Sequence, residues 1–108
     1  MSAVPSSFRL DGRVAVVVGG TGVLCGRIAR ALAGAGARTV IVGRDRANGA
    51  AALDRLREDG SELAFEPCDA TSRVELRDLV GRVLAAHGRI DVLVNGAGLN
   101  SATPFLEI

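Results

Sequence analysis

The chain has 108 residues, of which 48% are hydrophobic, so a wholly disordered protein is excluded and one domain at most is expected. Its formal net charge of +1 gives no reason to expect binding to nucleic acid or to an acidic membrane surface. The two cysteines, Cys25 and Cys68, are too few and too far apart for a disulfide framework or a metal site. With no secretory leader pattern at its start and no long apolar run, we expect a soluble cytoplasmic protein.

The first predicted unit is a strand, a glycine-rich turn and a helix. Val14–Val18 is a continuous apolar run, which is typical of a parallel strand buried on both faces. Four glycines follow within residues 19–26, and a helix is predicted over residues 23–35 with Gly36 as its stop. Its apolar positions recur at helical spacing: Leu24, Ile28, Leu32 and Ala35.

The second strand and helix come next. The strand is predicted over residues 39–42, and Asp45 is a candidate N-cap for a helix that runs to residue 59 and ends at Gly60. Residues 63–66 form a weaker third strand. The inward-facing residues of this helix are predicted to be Leu53 and Leu56.

The third helix has the clearest start signal. Ser72 and Glu75 form a Ser-x-x-Glu capping box, and Gly88 ends the helix. A fourth strand is predicted over residues 91–94, and after a glycine loop Pro104 suits the first turn of another helix. One face of the third helix is predicted to be apolar: Leu76, Leu79, Val80, Val83 and Leu84.

Four strands alternating with three helices predict the α/β class. Right-handed crossovers favour a doubly wound, Rossmann-like parallel sheet, and the order that belongs to this fold is 3-2-1-4. In that order the fourth strand, with Leu93 at its centre, is an apolar edge. We expect marginal stability of the isolated chain or formation of a homo-oligomer by pairing through this edge.

The turn after the first strand is suited to a pyrophosphate. Glycine lets the backbone turn sharply and approach the phosphates closely. The N-terminus of the following helix offers unpaired N–H groups and a partial positive charge. The pattern therefore favours a nucleotide-binding domain, although a glycine-rich connection without a ligand has the same local sequence.

Three motifs occur in order, each at the end of a predicted strand: the glycine turn, Cys68-Asp69-Ala70-Thr71, and Asp91-Val92-Leu93-Val94-Asn95-Gly96-Ala97-Gly98. Together they resemble the N-terminal half of the short-chain dehydrogenase/reductase family, over the chain from about Leu10 onward. The resemblance implies the cofactor-binding portion of an NAD(P)-dependent oxidoreductase that acts on a carbonyl/alcohol pair. Residues 1–108 would then be the dinucleotide-binding part of one Rossmann domain, without its C-terminal catalytic half.

The glycine turn departs from the family's usual Thr-Gly-x-x-x-Gly-x-Gly. Val18 replaces the threonine, while Val23 and Cys25 stand where the second and third glycines would fall. Cys25 is either a reactive thiol or a packing residue, and packing is favoured. The turn residues assigned to the cofactor by the resemblance are Gly19, Thr21, Gly22, Val23 and Leu24.

The other two motifs supply the remaining contacts that the resemblance implies. Asp69 would accept the adenine amino group with help from the Ala70 amide, or else serve only as a turn residue. The last motif resembles the family's Asn-Asn-Ala-Gly or Asn-Ala-Ala-Gly, with glycine as a variant at its second position. By this resemblance Asn95 would steady the sheet, and the small Ala97 and Gly98 would admit the nicotinamide ribose. A plain glycine loop is the alternative for the last motif.

The end of the second strand bears on cofactor choice. Arg44 follows Gly43 there, and an arginine at this point accommodates the 2′-phosphate of NADP, which we therefore favour over NAD. Asp45 leaves NAD open, because its carboxylate either binds the ribose hydroxyls or caps the next helix.

The chain contains no tyrosine, and all 13 of its basic residues other than histidine are arginines, so lysine is absent as well. The family's proton-transfer machinery uses a Tyr-x-x-x-Lys motif, so no catalytic residue is assigned and the isolated chain is expected to be inactive. The alternative is a free-standing nucleotide-binding or interaction module without catalysis.

Overall fold

The computed structural model describes residues 8–57 and 62–96, which form one four-stranded parallel sheet with three helices. The strand order is β3-β2-β1-β4, so the predicted α/β class, its doubly wound topology and its strand order are confirmed. No helix within these ranges is long and apolar enough to cross a lipid bilayer. In chain order the elements are β1 (Val14–Val18), α1 (Val23–Gly34), β2 (Arg38–Gly43), α2 (Arg46–Leu56), β3 (Leu63–Pro67), α3 (Arg73–His87) and β4 (Val92–Asn95).

Most element boundaries fall within one residue of their predicted positions. The exception is α2, which ends at Leu56 because Arg57 adopts extended backbone angles and its guanidinium donates to the Leu63 carbonyl at 2.8 Å. The predicted run to residue 59 was therefore too long, and its predicted stop at Gly60 lies outside the described residues. The helix predicted to begin at Pro104 also lies outside them.

The core consists of two apolar layers, one on each face of the sheet. Every residue of β1 is buried, as a central parallel strand requires. The layer under α3 comprises Val14, Val16, Val18, Val40, Val42, Cys68, Leu79 and Val83. The layer under α1 and α2 comprises Val17, Ala29, Ala33, Ile41, Ala52, Leu56 and Leu63.

The inward face of α1 consists of small residues: Gly26, Ala29 and Ala33 are buried. The apolar periodicity predicted the helix but not this face, since the side chain of Leu24 is 71% exposed. A helix that packs this close to a sheet has room for glycine and alanine at the contact, and its larger residues lie on the flanks.

The opposite face of the sheet is only partly covered. Leu79 and Val83 of α3 are buried, whereas Val80 is 44% exposed and Leu93 at the centre of β4 is 66% exposed. A largely apolar groove of about 310 Å³ lies between α3 and the strands β1 and β4. Within the described ranges β4 is an edge strand, as predicted.

Asp91 connects the start of β4 to the start of β1. Its Oδ2 accepts the Val14 amide at 2.8 Å, and its Oδ1 accepts the Arg89 guanidinium at 2.7 Å. The Arg89 hydrogen bond, followed by the Val14 amide, lowers the pKa of the Asp91 carboxyl from its ordinary value. A carboxyl whose pKa is lowered by folding stabilises the protein above its unfolded pKa, and this contribution is lost as the pH falls through the folded pKa.

We expect Asp91→Asn to lower the melting temperature at neutral pH, since the amide loses the ionic contact with Arg89. The difference from the wild type should shrink as the pH falls below about 4, where the unfolded carboxyl takes up its proton. Thermal unfolding followed by circular dichroism across this pH range measures both effects. Asp54→Asn, at an exposed position in α2, removes the same charge and should change the melting temperature little. A deficit in Asp91→Asn that does not depend on pH would contradict the ionic explanation.

Candidate dinucleotide-binding site

The turn after β1 is held by its own backbone hydrogen bonds. Gly19 has a φ of +84°, which favours glycine, and its amide donates to the Val42 carbonyl at 2.9 Å. The Gly20 amide donates to Val17 at 3.2 Å, and the Gly22 amide donates to Gly19 at 3.0 Å. The turn is therefore attached to the ends of both β1 and β2 without using any side chain.

The N-terminus of α1 has no side-chain cap. Gly22 is the N-cap residue, and the first turn contains no acidic residue. The first intrahelical bond runs from the Gly26 amide to the Gly22 carbonyl at 2.8 Å, so the amides of Val23, Leu24 and Cys25 precede it. These amides and the helix dipole make the end of α1 attractive to an anion.

Two glycines allow the turn and the helix to lie close to the sheet. A Cβ added to Gly20 would lie 2.7 Å from the Cβ of Ile41. A Cβ added to Gly26 would lie 3.2 Å from the Gly20 carbonyl oxygen and 3.3 Å from Leu56 Cδ1. Gly26 therefore permits the close helix–strand packing that the third glycine of a dinucleotide-binding turn provides, although it is displaced by one residue.

The end of β2 lies against the turn. A Cβ on Gly43 would lie 3.0 Å from Thr21 Cγ2, so the Thr21 side chain packs directly against the backbone of Gly43. Arg44 follows directly and is exposed. The structure thus brings Thr21 and Arg44, which were predicted from separate motifs, to the same part of the site.

Asp45 acts as the N-cap of α2. Its Oδ1 accepts the amides of Ala47 at 2.8 Å and Asn48 at 3.2 Å. The sequence left two roles open for Asp45, and in the structure it caps the helix. Arg44, the charged residue beside it at the end of β2, takes no part in this cap.

Arg55 also reaches the turn, which sequence reasoning missed. Its side chain lies on an exposed face of α2, and its Nη2 donates to the Thr21 carbonyl at 3.4 Å. Periodicity places Arg55 on an outer face and carries no information about the neighbouring turn, so no signal in the sequence identifies this contact.

Asp69 follows β3 and is partly exposed at the same edge of the sheet. Its Oδ1 accepts the Thr71 hydroxyl at 2.6 Å and the Thr71 amide at 2.9 Å. These hydrogen bonds are the main reason that the pKa of Asp69 is lowered, and the charge of Arg44 lowers it further. Ala70 is half-buried against the valine layer beneath α3.

The predicted capping box is only half formed. Ser72 Oγ accepts the Glu75 amide at 3.2 Å, as predicted. The Glu75 carboxylate, however, accepts the Asp69 amide at 3.1 Å instead of the Ser72 amide. The reason is that the Ser72 amide already donates to the Asp69 carbonyl at 2.9 Å. Glu75 consequently holds the backbone of a predicted site residue.

Asn95 is the last residue of β4 and pairs in register with Val18 at the end of β1. The next amide, that of Gly96, donates to the Val18 carbonyl at 2.8 Å. This contact brings the end of β4 next to the glycine turn. The predicted site residues Ala97 and Gly98 lie outside the described residues.

All of these groups lie at the carboxyl ends of the four parallel strands. The turn after β1 and the end of β4 flank the point where the strand order reverses, which is where open α/β sheets bind their ligands. The described residues contain no group of three or more His, Cys, Asp or Glu side chains able to hold a metal ion. The uncapped amides of α1 and the exposed Arg44 therefore lie at the same edge of the sheet.

Comparison with known proteins identifies the family. The family profile of short chain dehydrogenases matches residues 13–108, and the chain belongs to this family. It is 34% identical to UxuB, an uncharacterized oxidoreductase of Bacillus subtilis. The matched segment of 105 residues covers 97% of this chain and 38% of the relative. The chain therefore spans less than half the length of this relative.

Two solved structures extend the comparison. A metagenomic short-chain oxidoreductase in complex with NADP has a TM-score of 0.80 and 37% identity, over 92% of this chain and 45% of that protein. The RhlG/NADP active-site complex of Pseudomonas aeruginosa has a TM-score of 0.77 and 36% identity, over 85% of this chain and 37% of that protein.

We expect Gly20→Ala to destabilise the chain by about 1–3 kcal/mol, the usual cost of overpacking, because its methyl group would collide with Ile41. Gly34→Ala in α1 is the matched control. Its methyl group would meet nothing within 4 Å, so it should stabilise the helix by about 0.5–1 kcal/mol. Urea unfolding of both variants measures the difference, and equal stabilities would show that the close approach at Gly20 is not a constraint.

Proposed function

We propose that residues 1–108 form the NADP-binding part of an oxidoreductase that interconverts a carbonyl and an alcohol. The observation that carries the proposal is the pair Arg44–Asp45 at the end of β2. Asp45 caps α2, which leaves the guanidinium of Arg44 at the position where a 2′-phosphate is recognised. The NADP complexes of two related proteins support the same choice.

The proposed contacts follow the carboxyl edge of the sheet. The amides of Val23 and Leu24, at the uncapped end of α1, would hold the pyrophosphate above Gly19 and Gly22. Asp69 and the Ala70 amide would bind the adenine, and Asn95, Ala97 and Gly98 would adjoin the nicotinamide ribose. NADPH supplies a hydride when it is bound, and the residues of this chain bind and orient it.

The charges at the adenosine end favour NADP over NAD. A charge-assisted hydrogen bond between arginine and phosphate contributes about 1.5–3 kcal/mol, or roughly a ten- to hundredfold preference. Arg55, held near the turn by the Thr21 carbonyl, adds positive charge to the same region. Asp45, the nearest acidic residue in sequence, has one carboxylate oxygen committed to two amides. NAD remains the weaker ligand in this proposal.

Proton transfer is assigned to residues other than those of this chain. Residues 1–108 contain neither tyrosine nor lysine, and they span less than half of each relative described above. We therefore propose that the catalytic residues belong to the region that corresponds to the rest of those relatives. The 108-residue polypeptide by itself should bind NADPH without reducing a carbonyl compound.

We expect Arg44→Ala to weaken NADPH binding by roughly ten- to a hundredfold while changing NADH binding little, since NADH has no 2′-phosphate. Titration of nicotinamide fluorescence with each cofactor measures both affinities. Arg77→Ala, which removes an exposed arginine from α3, should leave both affinities unchanged. Equal losses of NADPH and NADH affinity in Arg44→Ala would refute the NADP assignment, and a wild type that binds neither cofactor would refute the proposed site.

We further propose that the chain acts in the cytoplasm and that a second copy pairs along β4. The two free thiols of Cys25 and Cys68 suit a reducing compartment. Leu93 is 66% exposed on an edge strand beside an apolar groove, a combination that favours strand pairing.

We expect Leu93→Lys to lower the association of residues 1–108 at high concentration, because a lysine on an edge strand opposes pairing. Multi-angle light scattering after size-exclusion chromatography measures the mass over a dilution series. Val74→Lys is the matched control, since Val74 is 67% exposed in the first turn of α3 and away from the strand. A wild type that stays monomeric throughout would refute pairing through β4.

A further inference from the structure

Cys25 and Gly96 lie in contact, although they belong to different motifs. Cys25 is half-buried in the first turn of α1, and Gly96 follows the last residue of β4. A methyl group added to Gly96 would overlap the Cys25 sulfur. It would also lie 3.2 Å from the Val18 carbonyl oxygen on its other side. Position 96 therefore has no room for a side chain while position 25 carries a cysteine.

Both residues differ in size from the residues usual at their positions in the two motifs: position 25 has gained a side chain, and position 96 has lost one. Cys25 stands where the glycine turn has its third glycine, and Gly96 stands where the strand-end motif has asparagine or alanine. The side chain gained at position 25 occupies the volume of the side chain lost at position 96. A single departure would leave either a gap or a collision at this contact.

We propose that Cys25 and Gly96 form a size-matched pair that sets the spacing between the glycine turn and the end of β4. In this pair Cys25 is a positioning residue for the dinucleotide site. The inference rests on the proposed NADP-binding function and extends it to a residue whose side chain no motif assigns to the cofactor.

The surrounding bonds explain why the spacing matters. The Gly96 amide donates to the Val18 carbonyl at 2.8 Å, and Val18 is joined directly to Gly19 of the turn. The amide of Cys25 is one of the three that precede the first intrahelical bond of α1. A larger residue at position 96 must displace the Cys25 side chain, and where that side chain does not turn away, the end of β4 or the first turn of α1 moves instead. Either shift misaligns the proposed pyrophosphate donors with the nicotinamide side of the site.

A double-mutant cycle tests the pair with Gly96→Ala, Cys25→Gly and the double variant. Gly96→Ala should weaken NADPH binding by at least about tenfold, and Cys25→Gly should weaken it by about threefold because it leaves a gap. The double variant restores the size match, so its affinity should return to within about threefold of the wild type. Affinities are measured by nicotinamide fluorescence at 10 °C, with folding checked by far-ultraviolet circular dichroism.

Gly81→Ala is the matched control, because its added methyl group would meet nothing within 4 Å in α3 and should leave NADPH binding unchanged. If Gly96→Ala fails to fold, a double variant that folds and binds NADPH supports the pair. Losses that simply add in the double variant overturn it. A lower melting temperature in Gly96→Ala without any loss of affinity also overturns the positioning role.

The two proposals fail in different ways. If the wild type binds no NADPH, the proposed function is wrong, and the inference that extends it to Cys25 falls with it. If the wild type binds NADPH but Gly96→Ala binds equally well, the function stands and the positioning role of Cys25 is wrong.

Discussion

The close approach of the glycine turn to the sheet is the constraint on which the rest of the structure depends. Gly20 lies where any side chain would collide with Ile41, and Gly26 lies where a side chain would press on the Gly20 carbonyl. Together they let α1 begin directly above the end of β1, with Ala29 and Ala33 against the sheet. The end of α1 is therefore held at the carboxyl edge by backbone packing, and its amides need no side chain to orient them.

The three helix N-termini differ in whether a side chain caps their first amides. The N-terminus of α2 is satisfied by Asp45, and that of α3 by Ser72. The N-terminus of α1 begins at Gly22 and has no side-chain cap. Of the three described helices, α1 alone thus leaves its dipole and first amides available, and it lies at the strand-order reversal, which is where open α/β sheets bind their ligands. Helix capping and sheet topology therefore both favour the N-terminus of α1 as the place for an anion.

The strands and helices depend on local sequence patterns and could be predicted. The contacts between elements depend on distances in the folded chain and could not. Apolar runs and cap residues located the strands and helices, and the doubly wound fold that their alternation favours then predicted the strand order. Helical spacing did not reveal that Leu24 is exposed, because periodicity does not report how near a helix packs. The partner of Glu75 was also missed, since the competing bond from Ser72 to Asp69 appears only in the folded chain. Contacts between motifs, such as Arg55 with Thr21, have no signal in one sequence.

The position of β1 between β2 and β4 has a consequence for synthesis on the ribosome. The amide of Val14 is bonded to a carboxylate 77 residues later in the chain, whereas the partners of β1 in β2 emerge much sooner. During translation β1, β2 and β3 can pair while the other edge of β1 still lacks its partner. That edge belongs to an entirely apolar strand, and it stays unpaired and open to other strands until β4 is made. Pairing of β4 with β1 is consequently the last step in the assembly of the described sheet.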